Sequence, residues 1–290
     1  MEKCILCPFE CNVDREHGKK GRCNAGKNIK IAKYSLHFDE EPCISGKEGS
    51  GTVFFSDCNL KCKFCQNYEI SCEGKGKEIS EEELSNIFLS LQEQKANNIN
   101  LVTAVPYVPK IIEAIKIAKS KGLNIPILYN TSGYEKVETL KMLEGYIDIY
   151  LPDFKYFDDN LAYRLSNVKN YREVTLKAIL EMKRQVGTNQ YNEKGILQKG
   201  IIIRHLVLPN NIQNSKDVLK LLKNNLGDDV YISLMAQYFP TYKAVSDEEI
   251  NRKLTKIEYH KIEQYLYKLN LKNGYIQDLG ENEQQYVPKF

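Results

Sequence analysis

The 290-residue sequence lacks several features that mark whole classes of protein. No apolar run reaches the roughly 18 residues that a membrane-spanning helix needs, and the beginning of the chain shows no signal-peptide pattern. Its 41 basic and 38 acidic residues are spread along the chain and give a formal charge of only +3, so no basic footprint for nucleic acid stands out. We therefore expect a soluble, cytoplasmic protein without a membrane or nucleic-acid partner.

Cysteine, by contrast, is plentiful and unevenly placed. Seven of the nine cysteines fall into two clusters with the spacing of metal ligands. In a cytoplasmic chain such clusters are more often ligands than disulfides. The remaining two, Cys43 and Cys72, are interpreted as partly buried free thiols.

The second cluster lacks a fourth cysteine. Cys58, Cys62 and Cys65 follow a short apolar run in a C-x3-C-x2-C spacing. Closed structural sites use four protein ligands, whereas a [4Fe-4S] cluster held by three thiolates keeps one iron open to an outside ligand. The missing ligand therefore indicates a catalytic rather than a structural site.

The first cluster is complete. Cys4, Cys7, Cys11 and Cys23 stand at C-x2-C-x3-C-x11-C in a segment with little hydrophobic periodicity. Four thiolates make a closed site. Zinc would make this segment a fold-stabilising knuckle, whereas a second [4Fe-4S] cluster could relay electrons to the open site.

The rest of the chain alternates strand-like and helix-like segments. Six βα units, the first beginning with the strand at 52–56, predict an α/β fold: a partial (β/α)6 barrel preceded by the cysteine-rich metal-binding segment. The last helix is expected from about Asp247 to Leu269. We divide the chain into the metal-binding segment at 1–28, the barrel at 29–270 and an irregular C-terminal tail at 271–290. In such a barrel the cysteine triplet lies at the carboxyl end of the first strand, where active sites are found.

Polar residues also follow later strands. Asn130 and Thr131 come after the third, Asp153 and Lys155 after the fourth, and Arg204 lies within or after the fifth. Polar side chains at strand ends are candidates for function because the strands themselves are apolar core. Asp153 and Lys155 could instead form an ordinary ion pair at the barrel rim, and the neighbouring His205 is either functional or a packed core histidine.

The triplet, with Asn59 and Phe64 beside it, resembles that of the radical S-adenosylmethionine (SAM) superfamily. Four further strings resemble the pyruvate formate-lyase activating enzyme-like (PflX-type) branch: N-T-S-G-Y at 130–134, L-P-D-F-K-Y at 151–156, I-R-H-L-V-L-P at 203–209 and L-M-x-Q-Y-F-P at 234–240. With the four-cysteine start, the resemblance spans the chain from Cys4 to about Pro240. It implies that the triplet holds a [4Fe-4S] cluster whose open iron binds SAM. An electron from the cluster then splits the sulfonium, giving methionine and a 5′-deoxyadenosyl radical that abstracts hydrogen from a substrate.

The resemblance also implies partners and site residues. A reductant such as flavodoxin or ferredoxin would supply the electron, and the substrate would be a glycyl radical enzyme, another peptide or protein, or a small molecule. Asn130, Thr131 and Asp153 would be candidate oxygen ligands that help hold the SAM carboxylate, in some family members through a monovalent cation. Lys155 would pair with that carboxylate, and Arg204 is suited to a bidentate carboxylate clamp. A non-catalytic electron-transfer or iron-sensing protein is the rival hypothesis, since it also explains the cysteines.

Two positions depart from the family pattern. Asp57 stands where a glycine usually precedes the first cysteine of the triplet, and its charge is expected to lower the reduction potential of an adjacent cluster if the carboxylate is ionised. The stretch Thr103-Ala104-Val105-Pro106 replaces a threonine- and histidine-bearing strand end that usually lies near the SAM amino group.

Overall fold

A computed structural model describes residues 3–280 of the chain. The strands in this range are β1 (Ile29–His37), β2 (Ser50–Phe55), β3 (Lys77–Ile79), β4 (Ile99–Val102), β5 (Ile127–Thr131), β6 (Ile149–Pro152), β7 (Gln190–Tyr191), β8 (Leu197–Ile201), β9 (Ile203–Leu206), β10 (Ile232–Met235) and β11 (Gly274–Ile276). The α-helices are α1 (Pro42–Ser45), α2 (Tyr68–Ser71), α3 (Glu81–Glu93), α4 (Val108–Ser120), α5 (Val137–Met142), α6 (Asp159–Ser166), α7 (Tyr171–Val186), α8 (Ile212–Leu226) and α9 (Lys256–Lys268).

The parallel strands form one curved layer. β2, β4, β5, β6 and β8 pair in that order, and β9, β10 and β11 continue with the same strand direction. Ile202 interrupts the fifth strand, but a parallel bridge between Asp153 and Arg204 carries the pairing from β6 to β9. β1 pairs antiparallel with β2 at the opposite edge. The predicted six βα units of a partial barrel are confirmed.

Burial follows from the sequence pattern of these elements. All six residues of β2 and all four of β4 are buried, as expected for strands covered on both faces. α3 begins with a capping box, in which Ser80 and Glu83 satisfy each other's backbone N–H groups. Its apolar stripe, including Leu84, Phe88 and Leu91, packs into the core. The helices therefore cover the outside of the strand layer.

Two predictions for the C-terminal part are wrong. The last helix begins at Lys256 rather than near Asp247, because Thr255 caps it in a box with Glu258 while Asp247 forms ion pairs with Lys63 and Arg164. The tail is not irregular throughout, since β11 pairs in parallel with β10. The rest of the predicted tail, 281–290, lies outside the described residues.

The cysteine-rich segment packs against the barrel. Thr139 at the start of α5 donates a hydrogen bond of 2.8 Å to the carbonyl of Leu6, and Phe9 contacts the ring of Tyr134. Cys23 belongs to the same apolar core as the barrel strands. The division between the segment at 1–28 and the barrel stays a prediction. No helix within the described residues is long and apolar enough to cross a bilayer.

Candidate active site

One cavity of about 460 Å³ lies at the carboxyl ends of the parallel strands. The three cysteines of the triplet and all five predicted cofactor-binding residues line it: Cys58, Cys62, Cys65, Asn130, Thr131, Asp153, Lys155 and Arg204. Each comes from a strand end or from the loop that follows it, which is where a barrel gathers functional groups. The structure therefore brings together residues that are up to 146 positions apart in the sequence.

The triplet loop is held between two neighbouring elements. The N–H of Cys58 donates a hydrogen bond of 3.1 Å to the carbonyl of Ser71 in α2. The N–H of Lys63 donates one of 2.8 Å to the carbonyl of Leu165 in α6. Asn59 reaches across the barrel mouth and donates 3.0 Å to the carbonyl of Tyr134. These bonds fix the backbone on both sides of the cysteines.

The triplet thiols are held mostly out of solvent. Burial raises the pKa of Cys58 and Cys62, and burial together with the nearby Cys62 raises the pKa of Cys65 to about 12. In residues 3–280 no group of three or more His, Cys, Asp or Glu side chains already has a metal-holding arrangement. Because a metal binds the deprotonated thiolates, ligation would release the protons of these thiols.

The donor set and the cavity fit a three-thiolate cluster. Cys58, Cys62 and Cys65 border the same space, and Ser166 Oγ lies 3.0 Å from Cys62 Sγ as a hydrogen-bond donor. Ser71 Oγ lies 3.1 Å from Cys65 Sγ. Hydrogen bonds to the sulfurs are among the ways in which a protein adjusts an iron–sulfur cluster, and these hydroxyl groups can supply them. The cavity offers the open side that an incomplete ligand set requires.

Asp153 and Lys155 form an ion pair at the wall of the cavity. Burial alone would lower the pKa of Lys155, but Asp153 and Cys62 outweigh burial and raise it above its ordinary value. Lys155 therefore stays charged beside the triplet. The ion pair that the sequence left open as an alternative is present, and its position still allows Lys155 to meet an anionic ligand.

Arg204 is engaged by two carboxylates that the sequence analysis did not connect with it. Its Nε and Nη2 donate to Glu41 at 2.7 and 2.6 Å, and Nη2 also contacts Glu40. Although burial opposes ionisation, Arg204 lowers the pKa of Glu41. The predicted clamp is therefore formed with the protein's own carboxylate, and both acidic residues border the cavity.

Thr131 is tied into a local network. Its hydroxyl donates to the buried Glu135, which also accepts from Tyr129 at 3.3 Å. Burial raises the pKa of Glu135 to about 7, against the effect of these two hydrogen bonds. A Cβ at Gly133, whose φ is +76°, would collide with the carbonyl of Asp153, so the N-T-S-G string keeps the third and fourth strand ends in close contact.

His205 is a core residue. Its ring is fully buried, Nδ1 lies 2.7 Å from the carbonyl of Phe154, and burial lowers its pKa to about 4. It is not among the described residues that line the cavity. Of the two alternatives given by the sequence, the packed core histidine fits this position.

The two departures from the family pattern lie next to each other. Asp57 has φ +70°, a left-handed conformation that explains why glycine is common at this position, and aspartate tolerates it better than most residues. Its buried carboxylate accepts a hydrogen bond of 3.1 Å from the hydroxyl of Tyr107, the residue that follows the Thr103–Pro106 departure. Thr103 lines the cavity and also has a positive φ, +63°. Asp57 thus contacts the residue that directly follows the second departure.

The N-terminal cysteines form a second group away from the cavity. Cys7 lies near enough to Cys11 and Cys23 to interact with them electrostatically, and Cys23 interacts in the same way with Cys4. A Cβ at Gly21 would lie 3.0 Å from both Cβ and Sγ of Cys11, so this turn is shaped to fit against the cysteine. None of the four is among the described residues that line the cavity.

A buried arginine accompanies these thiols. Arg15 is 6% exposed and donates 2.6 Å to the carbonyl of Pro106 and 3.3 Å to Cys23 Sγ, while its Nε has no partner among the described residues. It has no ion pair with a carboxylate in residues 3–280. A buried guanidinium is unfavourable without compensating negative charge. Metal-bound thiolates would supply that charge.

Arg22 links the two cysteine regions. Its backbone N–H lies 3.4 Å from Cys11 Sγ, while its side chain donates to the carbonyls of Asn59 and Asn167 at 3.4 and 2.5 Å. Asn59 belongs to the triplet loop, and Asn167 follows α6. One arginine therefore connects the N-terminal segment to the triplet loop and to the end of α6.

Sequence reasoning missed Glu40, Glu41, Arg15, Arg22, Tyr156 and Ser166. Most of them act through partners more than 30 positions away, so no local spacing reveals the pairing. Tyr156 is the last residue of the L-P-D-F-K-Y string, so the family resemblance could have identified it as a candidate site residue.

Comparisons with known proteins agree with this geometry. The model of the radical SAM superfamily matches residues 52–191, which contain the triplet and the third and fourth strand ends. An uncharacterised protein of Methanocaldococcus jannaschii is 34% identical over 282 residues, covering 93% of this chain and 76% of its own. A pyruvate formate-lyase-activating enzyme of Clostridium pasteurianum is 28% identical over 212 residues, covering 70% of this chain and 87% of its own.

Two solved structures share the fold. The [FeFe]-hydrogenase maturase HydG has a TM-score of 0.54, and SuiB of Streptococcus suis bound to S-adenosylmethionine has a TM-score of 0.52. Each is 15% identical to this chain; they cover 79% and 80% of it, respectively, and the chain spans about half the length of each. At this identity the likeness concerns the fold alone.

Proposed function

Because the chain belongs to the radical SAM superfamily, we propose that it reductively cleaves S-adenosylmethionine and abstracts a hydrogen atom from a substrate held in the barrel mouth. The observation that carries this proposal is the convergence of Cys58, Cys62 and Cys65 on one cavity with the predicted cofactor-binding residues. When bound, a [4Fe-4S] cluster supplies the electron for this cleavage and an open iron for the amino and carboxylate groups of SAM.

The residues around the cavity have separate tasks in this proposal. Lys155 would pair with the SAM carboxylate and Asp153 would orient its ammonium group; the ion pair between the two and the raised pKa of Lys155 support these roles. Asn130 and Thr131 offer oxygen atoms on the same wall, where a monovalent cation would find hard ligands. Arg204 is assigned a structural role in the cavity wall, because two of its donor nitrogens already bond to Glu40 and Glu41.

The cavity also restricts what can react. Its apolar members, Phe54, Val102 and Leu206 among them, keep water away from a reactive species. Orientation of the two reacting molecules is then the protein's main contribution, with the difficult chemistry supplied by the cofactors. A reductant such as flavodoxin or ferredoxin would deliver the electron.

For the target of the reaction, activation of a glycyl radical enzyme is the first candidate. The relative named pyruvate formate-lyase-activating enzyme covers 70% of this chain, and a putative glycyl-radical enzyme activating enzyme of M. jannaschii is 26% identical over 179 residues. Modification of another peptide, protein or small molecule is the second candidate. It is favoured by the four cysteines before the triplet, since activating enzymes with extra clusters generally carry them after it.

At Cys4, Cys7, Cys11 and Cys23 we propose a closed metal site holding zinc or a second [4Fe-4S] cluster. The buried Arg15 beside Cys23 supports bound thiolates over free thiols. Iron and zinc counts on the anaerobically purified protein separate the two metals. About four iron with one zinc per chain indicates a knuckle, and about eight iron indicates a second cluster.

The test of the proposed activity is formation of 5′-deoxyadenosine by the anaerobically reconstituted protein with SAM and dithionite. Cys58→Ala is expected to abolish the product. Cys43→Ser is the matched control, because Cys43 is a buried free cysteine outside both groups. A fully iron-loaded wild-type protein that forms no 5′-deoxyadenosine would favour the rival electron-transfer function.

A further inference from the structure

The end of α6 lies directly beneath the triplet loop. The last carbonyl groups of a helix have no partners within it. Here the carbonyls of Leu165 and Ser166 accept from the N–H groups of Lys63 and Lys61, at 2.8 and 3.3 Å, on either side of Cys62. This backbone pairing places the Ser166 side chain against the Cys62 sulfur.

Two hydroxyl groups form a chain that ends on this sulfur. Ser166 Oγ donates to Cys62 Sγ at 3.0 Å, and Tyr156 Oη lies 2.6 Å from Ser166 Oγ. A serine hydroxyl has one hydrogen to donate. If that hydrogen points at Cys62, the hydrogen between the two hydroxyls must come from Tyr156. Both side chains are fully buried, so water does not compete for these bonds.

The other two triplet cysteines lack such a fixed donor chain. Ser71 Oγ lies 3.1 Å from Cys65 Sγ, but it also approaches Cys72 Sγ at 3.6 Å. Cys58 Sγ lies 3.8 Å from Asn59 Oδ1, an oxygen that cannot donate to a thiolate, and its donor is the backbone N–H of Leu60. Cys65 likewise has a backbone donor, the N–H of Asn67. Cys62 therefore differs from its two companions in having a buried side-chain hydroxyl as its donor that is itself held by a second hydroxyl.

We propose that Ser166, oriented by Tyr156, donates a hydrogen bond to the ligating sulfur of Cys62 and thereby raises the reduction potential of the cluster. Hydrogen bonds to the sulfurs are among the factors that set the potential of an iron–sulfur cluster. Such a bond stabilises the reduced state more, since the added electron increases the negative charge on the sulfurs. Tyr156 is a positioning residue, because it acts on the sulfur through Ser166.

This inference rests on the proposed cluster at Cys58, Cys62 and Cys65. A purely packing role for Ser166 is the competing explanation: its hydroxyl would only satisfy the buried Tyr156. The two explanations differ in the reduction potential, which a packing role leaves unchanged in any variant that retains its iron.

The experiment is a redox titration of the anaerobically reconstituted full chain, followed by electron paramagnetic resonance. The variants are Ser166→Ala, Tyr156→Phe and the double substitution, with Cys58→Ala providing the background from any N-terminal cluster. Ser85→Ala is the matched control, because Ser85 is a fully buried helical serine whose hydroxyl has no partner among the described residues.

Ser166→Ala is expected to change the ratio of oxidised to reduced cluster about tenfold at a fixed potential, equivalent to about 59 mV toward more negative values for a one-electron couple. Tyr156→Phe should shift the potential in the same direction by less. The double variant should match Ser166→Ala, because Tyr156 acts through Ser166. Ser85→Ala should leave the potential unchanged.

An unchanged potential in iron-loaded Ser166→Ala would overturn the inference, as would fully additive shifts of the two single substitutions. If Ser166→Ala does not retain about four iron, Tyr156→Phe decides: a lowered potential supports the inference and an unchanged potential overturns it. Failure of the proposed function looks different. It appears in the wild-type protein as a triplet that binds no cluster, or as a cluster that yields no 5′-deoxyadenosine.

Discussion

The two cysteine regions of the molecule differ in their number of cysteines and in their surroundings. Cys58, Cys62 and Cys65 border a cavity, offer three ligands and meet hydroxyl groups from neighbouring elements. The N-terminal four lie away from the cavity and are accompanied by two arginines. Three cysteines that border a cavity suit a cofactor that must meet a ligand, whereas four cysteines can complete a metal site without one. The group with an incomplete set of cysteine ligands is thus also the group that borders the cavity.

The comparison also shows that the regions are not independent. Arg22 reaches from the N-terminal segment to one carbonyl in the triplet loop and to another at the end of α6. Arg15 bonds to Pro106 beside the contact between Tyr107 and Asp57. A metal that orders the N-terminal segment would therefore also support the loop that holds the triplet.

The largest expected effect separates the two sites by their metal content. Cys58→Ala should lose about four iron per chain and keep the N-terminal metal, because that site uses other ligands. Cys4→Ala should lose metal from the N-terminal site and still assemble a cluster at the triplet. Iron and zinc counts for both variants check this. Loss of both metals in each single variant would mean that the seven cysteines form one site.

The next effect concerns stability. Cys23→Ala removes a ligand that is 4% exposed and contacts the buried Arg15, so metal loss would leave a buried positive charge without thiolates around it. We expect destabilisation of at least about 3 kcal/mol, the scale on which breaking a buried charge pair acts. Chemical denaturation of the variant and of Cys43→Ser measures this. Equal stability of the two would show that the N-terminal site does not support the fold.

A smaller effect is expected from Arg22→Ala. The substitution removes a charge-assisted bond to Asn167 and a longer one to Asn59, and with them the stacking of the guanidinium over Phe9 at 4.2 Å. Hydrogen bonds to charged groups contribute about 1.5–3 kcal/mol, and this site is only half buried, so we expect about 1–2 kcal/mol. The triplet should also lose iron faster to a chelator. Lys20→Ala, at an exposed neighbouring position, is the control. An unaltered rate of iron loss in Arg22→Ala would remove the proposed link between the regions.

The smallest effect tests the charge beside the triplet. Asp57→Asn keeps an oxygen acceptor for Tyr107 and a residue that tolerates φ of +70°, but it removes the carboxylate charge next to Cys58. The cluster potential should rise, opposite in sign to the shift expected for Ser166→Ala. A redox titration checks this, and a potential that falls or stays constant would contradict it.

Periodicity was sufficient to predict most of the fold. The six βα units follow from alternating apolar strands and amphipathic helices, which depend on local sequence. β11 was missed because three residues in a polar setting are too few to show a period, and they become a strand only by pairing with β10. The true start of α9 had a readable signal, since Thr255 and Glu258 form a capping box.

The candidate site likewise contains a part that local sequence predicts and a part that it does not. Residues at and after the ends of several strands line one cavity, because parallel strands end at the same edge, and this placement follows from the strand pattern of the sequence. The partners of those residues were not predictable. Arg204 bonds to Glu41 across 163 positions and Ser166 to Cys62 across 104, and neither pair has a spacing that a single sequence displays.

The central claim is that the triplet, and not the N-terminal group, is the site that meets SAM. The most direct measurement is the electron paramagnetic resonance spectrum of the reduced protein before and after SAM is added. We predict that SAM changes the cluster signal in the wild-type protein and in Cys4→Ala, and that Cys58→Ala lacks the responding signal. A response that survives in Cys58→Ala and disappears in Cys4→Ala would contradict this assignment.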